Sequence, residues 1–428
     1  MKAVILAGGL GTRMGQLSNT VPKPMLKLAG KSVLEHQLEA LKKEGISDFI
    51  FVTGYLGEKI EEYFGDGSRF GVSIAYFRET EPLGTAGALF HLGLTEDFLL
   101  CNGDLIFSFD LTSMLSFHRE KKALATLFTH PNSHPYDSTL VCTDKDNTVT
   151  AFIKPTERSS PAANLCNAGI QIISPELLAM YNADGKKNLD HDIIEPAIKT
   201  GRIFSYRSFE YAKDMGTPER LLAVERDILD GIVEAKHRTL PQKAIFLDRD
   251  GTVNAHKGFI TNPDDIELLP DVAEAINGLR SMGYLIIIVT NQPIIARGDC
   301  SEERLKEIHN RLEALLGEKG AFIDGLYYCP HHPYSGFENE VPELKKVCDC
   351  RKPAPGLLLK AQKDFNIDLS ASFMVGDSQR DVEAGINAGC RSVLLCESKT
   401  KHNCDKLLYA DSLYAFYESI KKQMNFSS

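Results

Sequence analysis

The chain has 428 residues, so two domains or more are expected. Hydrophobic residues make up 43% and charged residues 25%, ordinary globular values. A net charge of -10 argues against a broad nucleic-acid-binding surface, so an anionic substrate must meet local positive charge from particular Lys, Arg and metal ions.

No apolar run approaches the roughly 20 residues of a membrane span. The opening MKAVILAGG is charged, then briefly apolar, and runs straight into glycines. It reads as a strand over Lys2–Ala7 and not as a signal peptide. The 10 cysteines then read as metal ligands and buried thiols of a protein in a reducing cytoplasm. Ser32-Val33-Leu34-Glu35 has the capping-box pattern, and Leu34, Leu38 and Leu41 share one helical face. Gly45 ends that helix. Asp48–Thr53, Phe98–Cys101 and Gly169–Ile173 read as further strands. Thr217-Pro218 opens a long helix that fades near Glu234. The polar stretch Ala235–Gln242 contains Pro241 and reads as a linker, giving domains 1–234 and 243–428. The second half restarts with a strand at Lys243. Strands follow at Leu285–Thr290, Phe373–Gly376 and Ser392–Leu395, with a helix over Asp271–Met282. This alternation predicts two doubly wound α/β domains with mainly parallel sheets. There is no internal repeat, and the tail Lys421–Ser428 is expected to fray.

Chemistry concentrates at predicted strand ends. Gly8, Gly9 and Gly11 follow the first strand and let backbone N–H groups approach phosphate oxygens, with Arg13 as a fork-shaped cation. Pro22-Lys23-Pro24 holds a lysine in a stiff turn. Asn102-Gly103-Asp104 ends a strand, and Asp214 precedes Met-Gly-Thr-Pro, so two distant carboxylates can converge on one Mg²⁺. These motifs, with Leu83-Gly84-Thr85-Ala86-Gly87 and Asn167-Ala168-Gly169, resemble the sugar-1-phosphate nucleotidylyltransferases over residues 1 to about 232. The resemblance implies a nucleotidyltransferase (Rossmann-like) fold in which a sugar 1-phosphate attacks the α-phosphorus of a nucleoside triphosphate. It gives Arg13 and Lys23 the phosphates and Asp104 and Asp214 the Mg²⁺. Gly8, Gly84 and Thr85 would line the base pocket, and Lys154, Asn167 and Gly169 would face the sugar phosphate. A solvated turn is the competing reading for Lys154. Met14-Gly15-Gln16-Leu17 departs from the family, many members of which have a proline here.

The second half carries KAIFLDRDGT, in which a buried strand ends at Asp248 and Asp250. These suit a nucleophile paired with an acid/base. Thr290-Asn291-Gln292 ends the next strand with a hydroxyl and amides. Arg351-Lys352-Pro353 places a lysine in a stiff turn, and Asp377 ends a further strand, with Asp381 one helical turn on. Cys329, His331, His332, Cys348 and Cys350 match a closed structural zinc site of three thiolates and one imidazole. Cys-x-His spacing favours His331. The four motifs resemble the haloacid-dehalogenase-type phosphatases, and the zinc loop resembles their D,D-heptose 1,7-bisphosphate 7-phosphatase branch. The resemblance implies that Asp248 forms an aspartyl-phosphate. Asp250 would protonate the leaving oxygen and then activate water, while Thr290 and Lys352 stabilise the phosphoryl group. Asp248, Asp377 and the Asp250 carbonyl would bind Mg²⁺. Asn291, Arg297 and Arg351 are expected at the substrate, Arg297 toward a second phosphate. Pro293 and Ile294 replace the Ser-Gly often found there, which puts Ile294 near the phosphate or sugar.

Together the two halves predict a bifunctional enzyme of activated-heptose synthesis. It would turn heptose 1,7-bisphosphate into heptose 1-phosphate and then a nucleotide sugar. GTP, as for a heptose-1-phosphate guanylyltransferase, is the nucleotide that this resemblance suggests. Neither nucleic acid nor membrane is an expected partner, and association of copies is left open. Two other readings stand beside it. One joins a hexose nucleotidylyltransferase to a phosphatase of another ester, such as histidinol phosphate. The other is a sugar-nucleotide sensor with one inactive half.

Overall fold

The computed structural model describes residues 1–9, 20–396 and 407–425. Contacts divide the chain into two compact units. The first comprises Met1–His130, Val141–Ile153 and Asn167–His237, and the second comprises Pro131–Leu140, Lys154–Cys166 and Arg238–Ser428. The sequence reading assigned the two inserted segments, and Lys154 with them, to the first domain. No helix among the described residues is long and apolar enough to cross a membrane.

In the first unit seven strands form one sheet. They are β1 (Ala3–Leu6), β2 (Asp48–Thr53), β3 (Ser73–Arg78), β4 (Phe98–Asn102), β5 (Ala125–His130), β6 (Cys166–Ile173) and β7 (Ile203–Arg207). Their spatial order is β7-β5-β6-β4-β1-β2-β3. β1 pairs in parallel with β2 and β4, and β6 runs antiparallel to β4. Side chains alternate between two cores because successive residues of a strand face opposite ways. Ala3, Ile5, Phe49, Phe51, Leu99 and Cys101 enter one core, while Val4, Ile50, Val52, Phe98 and Leu100 enter the other. Both faces being covered, the central strands read as unbroken apolar runs.

Helix α1 (Val33–Lys43) starts where the Ser32 hydroxyl accepts from Glu35 N at 3.2 Å. Its Leu34, Leu38 and Leu41 are buried, and it stops before Gly45, whose φ is +85°. Thr217 caps α2 (Pro218–Leu229). The sequence reading ran this helix on to Glu234. Gly231, at φ +71°, breaks it instead, and a short turn of helix over Ile232–Ala235 follows.

The second unit holds a six-stranded, all-parallel sheet of β8 (Ala244–Leu247), β9 (Leu285–Asn291), β10 (Gly325–Cys329), β11 (Phe373–Gly376), β12 (Arg391–Leu395) and β13 (Leu407–Ala410). The order β10-β9-β8-β11-β12-β13 puts β8 and β11 side by side in the middle. Helices α3 (Val272–Ser281), α4 (Glu302–Glu318) and α5 (Gln379–Ala388) cover it. Both units are thus α/β, and the second is wholly parallel. The strands absent from the sequence reading have physical reasons for being hard to see. β3 is an edge strand, and β5 and β7 carry polar residues inward, with Thr129 and Ser205 hydroxyls 2.6 Å apart across the pair. Such residues interrupt the apolar run by which a strand is recognised.

Candidate active sites

In the first unit the ends of β1, β2 and β4 meet. Gly103 N donates to Leu6 O at 3.0 Å, and a Cβ on Gly103 would sit 2.7 Å from that oxygen, so only glycine fits. The buried amide of Gln37 on α1 donates to Asn102 O and Leu105 O, each at 2.8 Å. That clamp fixes the turn carrying Asp104. Lys23, buried by its stiff turn, forms an ion pair with Asp104. Residues Leu105–Ser108 pair antiparallel with Tyr211–Asp214 in a register setting Asp214 opposite Leu105. Met215 N donates to Asp104 O at 3.1 Å. The Asp104 turn and the strand end at Asp214, the two carboxylates expected at Mg²⁺, thus lie side by side. Asp214 is held by Arg220 at 2.8 Å and by Gly216 N at 2.8 Å. Burial raises the Asp214 pKa, but Arg220, the Gly216 N–H and Lys23 outweigh it, and the net shift is downward.

Gly8 lies where a Cβ would meet Glu79 Oε2 at 2.9 Å and Gly54 N at 3.2 Å. Among the described residues nothing lies within 4 Å of a Cβ placed on Gly9. Gly11 and Arg13 lie outside the described residues, as does Met14-Gly15-Gln16-Leu17. Gly84 has φ +78°, and a Cβ there would come within 2.4 Å of Lys187 O. The Thr85 hydroxyl accepts from Leu189 N at 2.8 Å, which pins the loop. On the neighbouring strand, Gly169 at φ +80° packs against the Asn102 amide. Asn167 Oδ1 accepts from Gly169 N at 3.1 Å, and its amide donates to Asp190 at 3.2 Å. Lys154 pairs with Glu157 at 3.4 Å on the surface of the second unit.

In the second unit the same logic holds at the ends of β8, β9 and β11. Asp248 N donates to Val375 O at 3.0 Å. The ammonium of Lys352, 2% exposed, contacts Asp248 at 2.7 Å, Asp381 at 2.6 Å and Val289 O at 2.8 Å. Burial lowers the Lys352 pKa, but the two carboxylates overcome this and raise it. Asp381 closes the capping box of α5, accepting from Ser378 N at 3.0 Å. Asn291 donates to Lys352 O and accepts from Lys352 N, both at 3.0 Å. Its amide therefore clips the lysine turn in place, although the sequence reading put it at the substrate. Gln292 Nε2 donates to Thr290 Oγ1 and to Asp250 Oδ2, each at 2.9 Å. Gly251, at φ +82°, leaves room for Asp377, whose carboxylate a Cβ would strike at 2.0 Å.

One carboxylate oxygen each from Asp248, Asp377 and Asp381 lie within 4.8 Å of one another. Burial first, then the charge of Asp381, lifts the Asp248 pKa from 3.8 to about 6 against the pull of Lys352. The same two causes raise that of Asp377. Crowded acids of this kind suit a divalent cation. The side chain of Asp250 turns away to Arg249, Gln292 and Asn254. Arg297 pairs with Asp299 at 2.9 Å and stacks between Phe259 and Phe337, 4.4 and 4.3 Å from their ring centroids. Arg351 donates to His331 O at 3.1 Å. Ile294 is fully buried against Ile295 and Leu305, so it fills protein interior and not the substrate space that the sequence suggested.

Cys329, His331, Cys348 and Cys350 gather at the end of β10. Their donor atoms stand 3.2 to 3.7 Å apart, close to the edges of ~3.5–3.8 Å of a tetrahedron built on the usual zinc bonds. His332 instead faces Tyr334 O at 3.0 Å. Burial pushes the Cys329 thiol up to about 11, so the cluster needs a cation to hold thiolates. Zinc fits this donor set.

Each unit thus sets a lysine against acids at its strand ends, an arrangement suited to chemistry on phosphoryl groups. A nucleotidyl transferase family model matches residues 2–231, and a haloacid dehalogenase-like hydrolase model matches residues 139–389. Each match spans more than half of the chain, which therefore belongs to both families and is a bifunctional nucleotidyltransferase and hydrolase. Over 186 residues it is 38% identical to the D-glycero-beta-D-manno-heptose-1,7-bisphosphate 7-phosphatase of Escherichia coli (strain K12), covering 42% of this chain and 94% of that protein. It is 46% identical over 141 residues to the protein of that name from Photorhabdus laumondii, covering 33% and 73%. Among solved structures, HddC from Yersinia pseudotuberculosis complexed with GMP-PN is similar at 24% identity and a TM-score of 0.46, covering 53% of this chain and 99% of that one.

Replacing Cys350 with Ser should lower bound zinc and destabilise the second unit, because a structural metal contributes folding free energy directly. Elemental analysis of the wild type showing no zinc would overturn this. A second expectation concerns pH. The folded-state pKa of Asp248 is raised, so in metal-free protein its stabilising contribution is full below the unfolded value of 3.8 and is lost as pH rises through about 6. Mg²⁺ takes the ionised acids. It should therefore raise the unfolding temperature of the second unit more at about pH 7.5 than at about pH 5. Equal shifts at both pH values would count against these acids as the metal ligands.

Proposed function

We propose that the second unit removes the 7-phosphate of D-glycero-D-manno-heptose 1,7-bisphosphate, and that the first unit transfers GMP from GTP to the resulting heptose 1-phosphate, releasing pyrophosphate. The observation that carries the phosphatase half is the buried Lys352 ammonium between Asp248 and Asp381. Asp248 Oδ attacks phosphorus as the P–O bond to the sugar breaks. Asp250 gives its proton to the departing oxygen. Asp250 then takes a proton from water, which attacks the aspartyl-phosphate and frees phosphate. Lys352 and Thr290 stabilise the equatorial oxygens. Asp248, Asp377 and the Asp250 carbonyl would hold Mg²⁺, which screens the like charges of nucleophile and phosphate. The heptose substrate is supported by the relatives' identity over this unit.

In the transferase half the sugar phosphate oxygen attacks the α-phosphorus. Lys23 stands ready for the phosphates, and Asp104 and Asp214 would hold Mg²⁺. This chemistry needs positioning and charge more than a covalent residue. Guanine is supported by Glu79. Its Oε1 accepts from Leu83 N at 3.2 Å, and its Oε2 faces the Gly8 backbone. Burial raises its pKa against the pull of the Leu83 N–H. Guanine offers two neighbouring donors on its pairing edge, N1–H and the exocyclic amine, and a carboxylate accepts both.

Incubation with heptose 1,7-bisphosphate and each nucleoside triphosphate, with products read by mass, tests the whole reading. Asp248→Asn should abolish phosphate release, yet leave nucleotidyl transfer to preformed heptose 1-phosphate within a few-fold. Retained phosphate release would sink the assignment of the nucleophile. Glu79→Gln should cost GTP on the order of tenfold or more in kcat/KM, about 1.4 kcal/mol. It should favour UTP in relative terms, since an amide pairs one acceptor and one donor with uracil. Unchanged preference would remove Glu79 from base selection.

A further inference from the structure

Arg249, the residue between the two motif aspartates, is 1% exposed and among the largest fully buried side chains. Its Nε contacts both oxygens of Asp250 at 3.2 Å, and one Nη contacts them at 3.0 and 2.8 Å. The other Nη faces His309 Nε2 at 3.3 Å. A guanidinium has only donors, so this imidazole nitrogen must offer its lone pair, and His309 is neutral with its proton on Nδ1. Burial first, and then Arg249, push the His309 pKa well below the usual value, in agreement. His309 is itself buried on α4 and lies against the Tyr328 ring, 5.7 Å between centroids. Gln292 at 2.9 Å and Asn254 at 3.0 Å also donate to Asp250, whose side chain stays 17% exposed. The backbone of Arg249 is fixed as well, since its carbonyl accepts from Val253 N at 2.9 Å and Asn254 N at 3.0 Å. An apolar residue would satisfy this buried position at less desolvation cost.

We propose that Arg249, seated on neutral His309, is a positioning residue that aims the Asp250 carboxylate for its acid and base steps. The inference rests on Asp250 being the acid/base of the phosphatase. The two aspartates leave the same short turn, and without the clamp the Asp250 side chain has several staggered orientations to choose from. The Arg249 side chain is directed to Asp250 and His309, while its backbone N–H meets Asp248, an interaction that a side-chain substitution keeps. Loss of the clamp should therefore spare phosphoryl capture and spoil proton transfer.

Leaving-group dependence tests this. A sugar oxygen needs a proton as it departs; p-nitrophenolate does not. With heptose 1,7-bisphosphate, Arg249→Lys and His309→Phe should each lower kcat on the order of 10²-fold, the range for one positioned proton donor, with KM within a few-fold. With p-nitrophenyl phosphate, rapid mixing should still show a burst of one p-nitrophenolate per site, followed by slow turnover as water attack becomes limiting. His309→Gln keeps an acceptor toward Arg249 and should recover part of the loss. A variant that loses the burst and the sugar activity equally has a damaged fold, and the inference fails. It also fails if Arg249→Lys keeps full kcat while Asp250→Asn collapses. If Asp250→Asn itself keeps full turnover, the acid/base reading is wrong.

Discussion

The second unit is arranged around one buried ammonium. Lys352 has almost no exposure, so its charge must be met by protein. Two carboxylates and a carbonyl meet it, and each comes from a different part of the sheet: Asp248 beyond β8, Val289 within β9 and Asp381 at the start of α5. The register of β8 with β9 and β11 is thus coupled to a charge balance. A slip of one residue in β8 would turn Asp248 to the other face and leave the ammonium uncompensated. The Asn291 amide serves the same end by fixing the backbone on both sides of the lysine.

The first unit reaches a related arrangement by another route. Lys23 is also buried in a proline-bounded turn and also pairs with the aspartate at a strand end. Its carboxylates are set by a two-stranded ribbon that brings Asp214 beside Leu105. Each unit therefore holds its phosphate-facing lysine beforehand against an acid. A preformed pair keeps the long side chain ordered, and its rotamer entropy is already lost when the substrate arrives.

Much of this was legible in the sequence, and the parts that were not share a cause. Asp48–Thr53 and Phe373–Gly376 were readable to the residue because buried parallel strands are short apolar runs with abrupt ends. Asp248, Lys352 and the cysteine cluster were visible because the chemistry is written in adjacent residues. Glu79 was not visible. It follows β3, an edge strand whose alternating burial hides it, and its neighbour Gly8 lies about seventy positions away in sequence. His309 was unreadable for the same reason, since a lone histidine in a helix shows no partner until the helix is placed. Asn291 was found, but its clip on the lysine turn was not, because an amide after a strand serves a substrate or a backbone equally well.

Charge bookkeeping separates the two sites. In the second unit Asp248, Asp377 and the buried Asp381 gather near one lysine, so acids outnumber the cation, and Asp377 opens to solvent. Such an excess of acid disfavours a phosphate dianion, since like charges repel. A divalent cation would cancel that excess and, on the proposed function, leave Lys352 to the phosphoryl oxygens. In the first unit Lys23 balances Asp104, and Arg220 balances Asp214. Among the described residues these two acids are each paired, so a Mg²⁺ there would add charge that a triphosphate could balance. The acidic chain as a whole repels polyanions weakly at a distance, where salt screens it. On the proposed function, what admits them is the local sum at each strand end, and the two sums differ in how much of the acid charge the protein already meets.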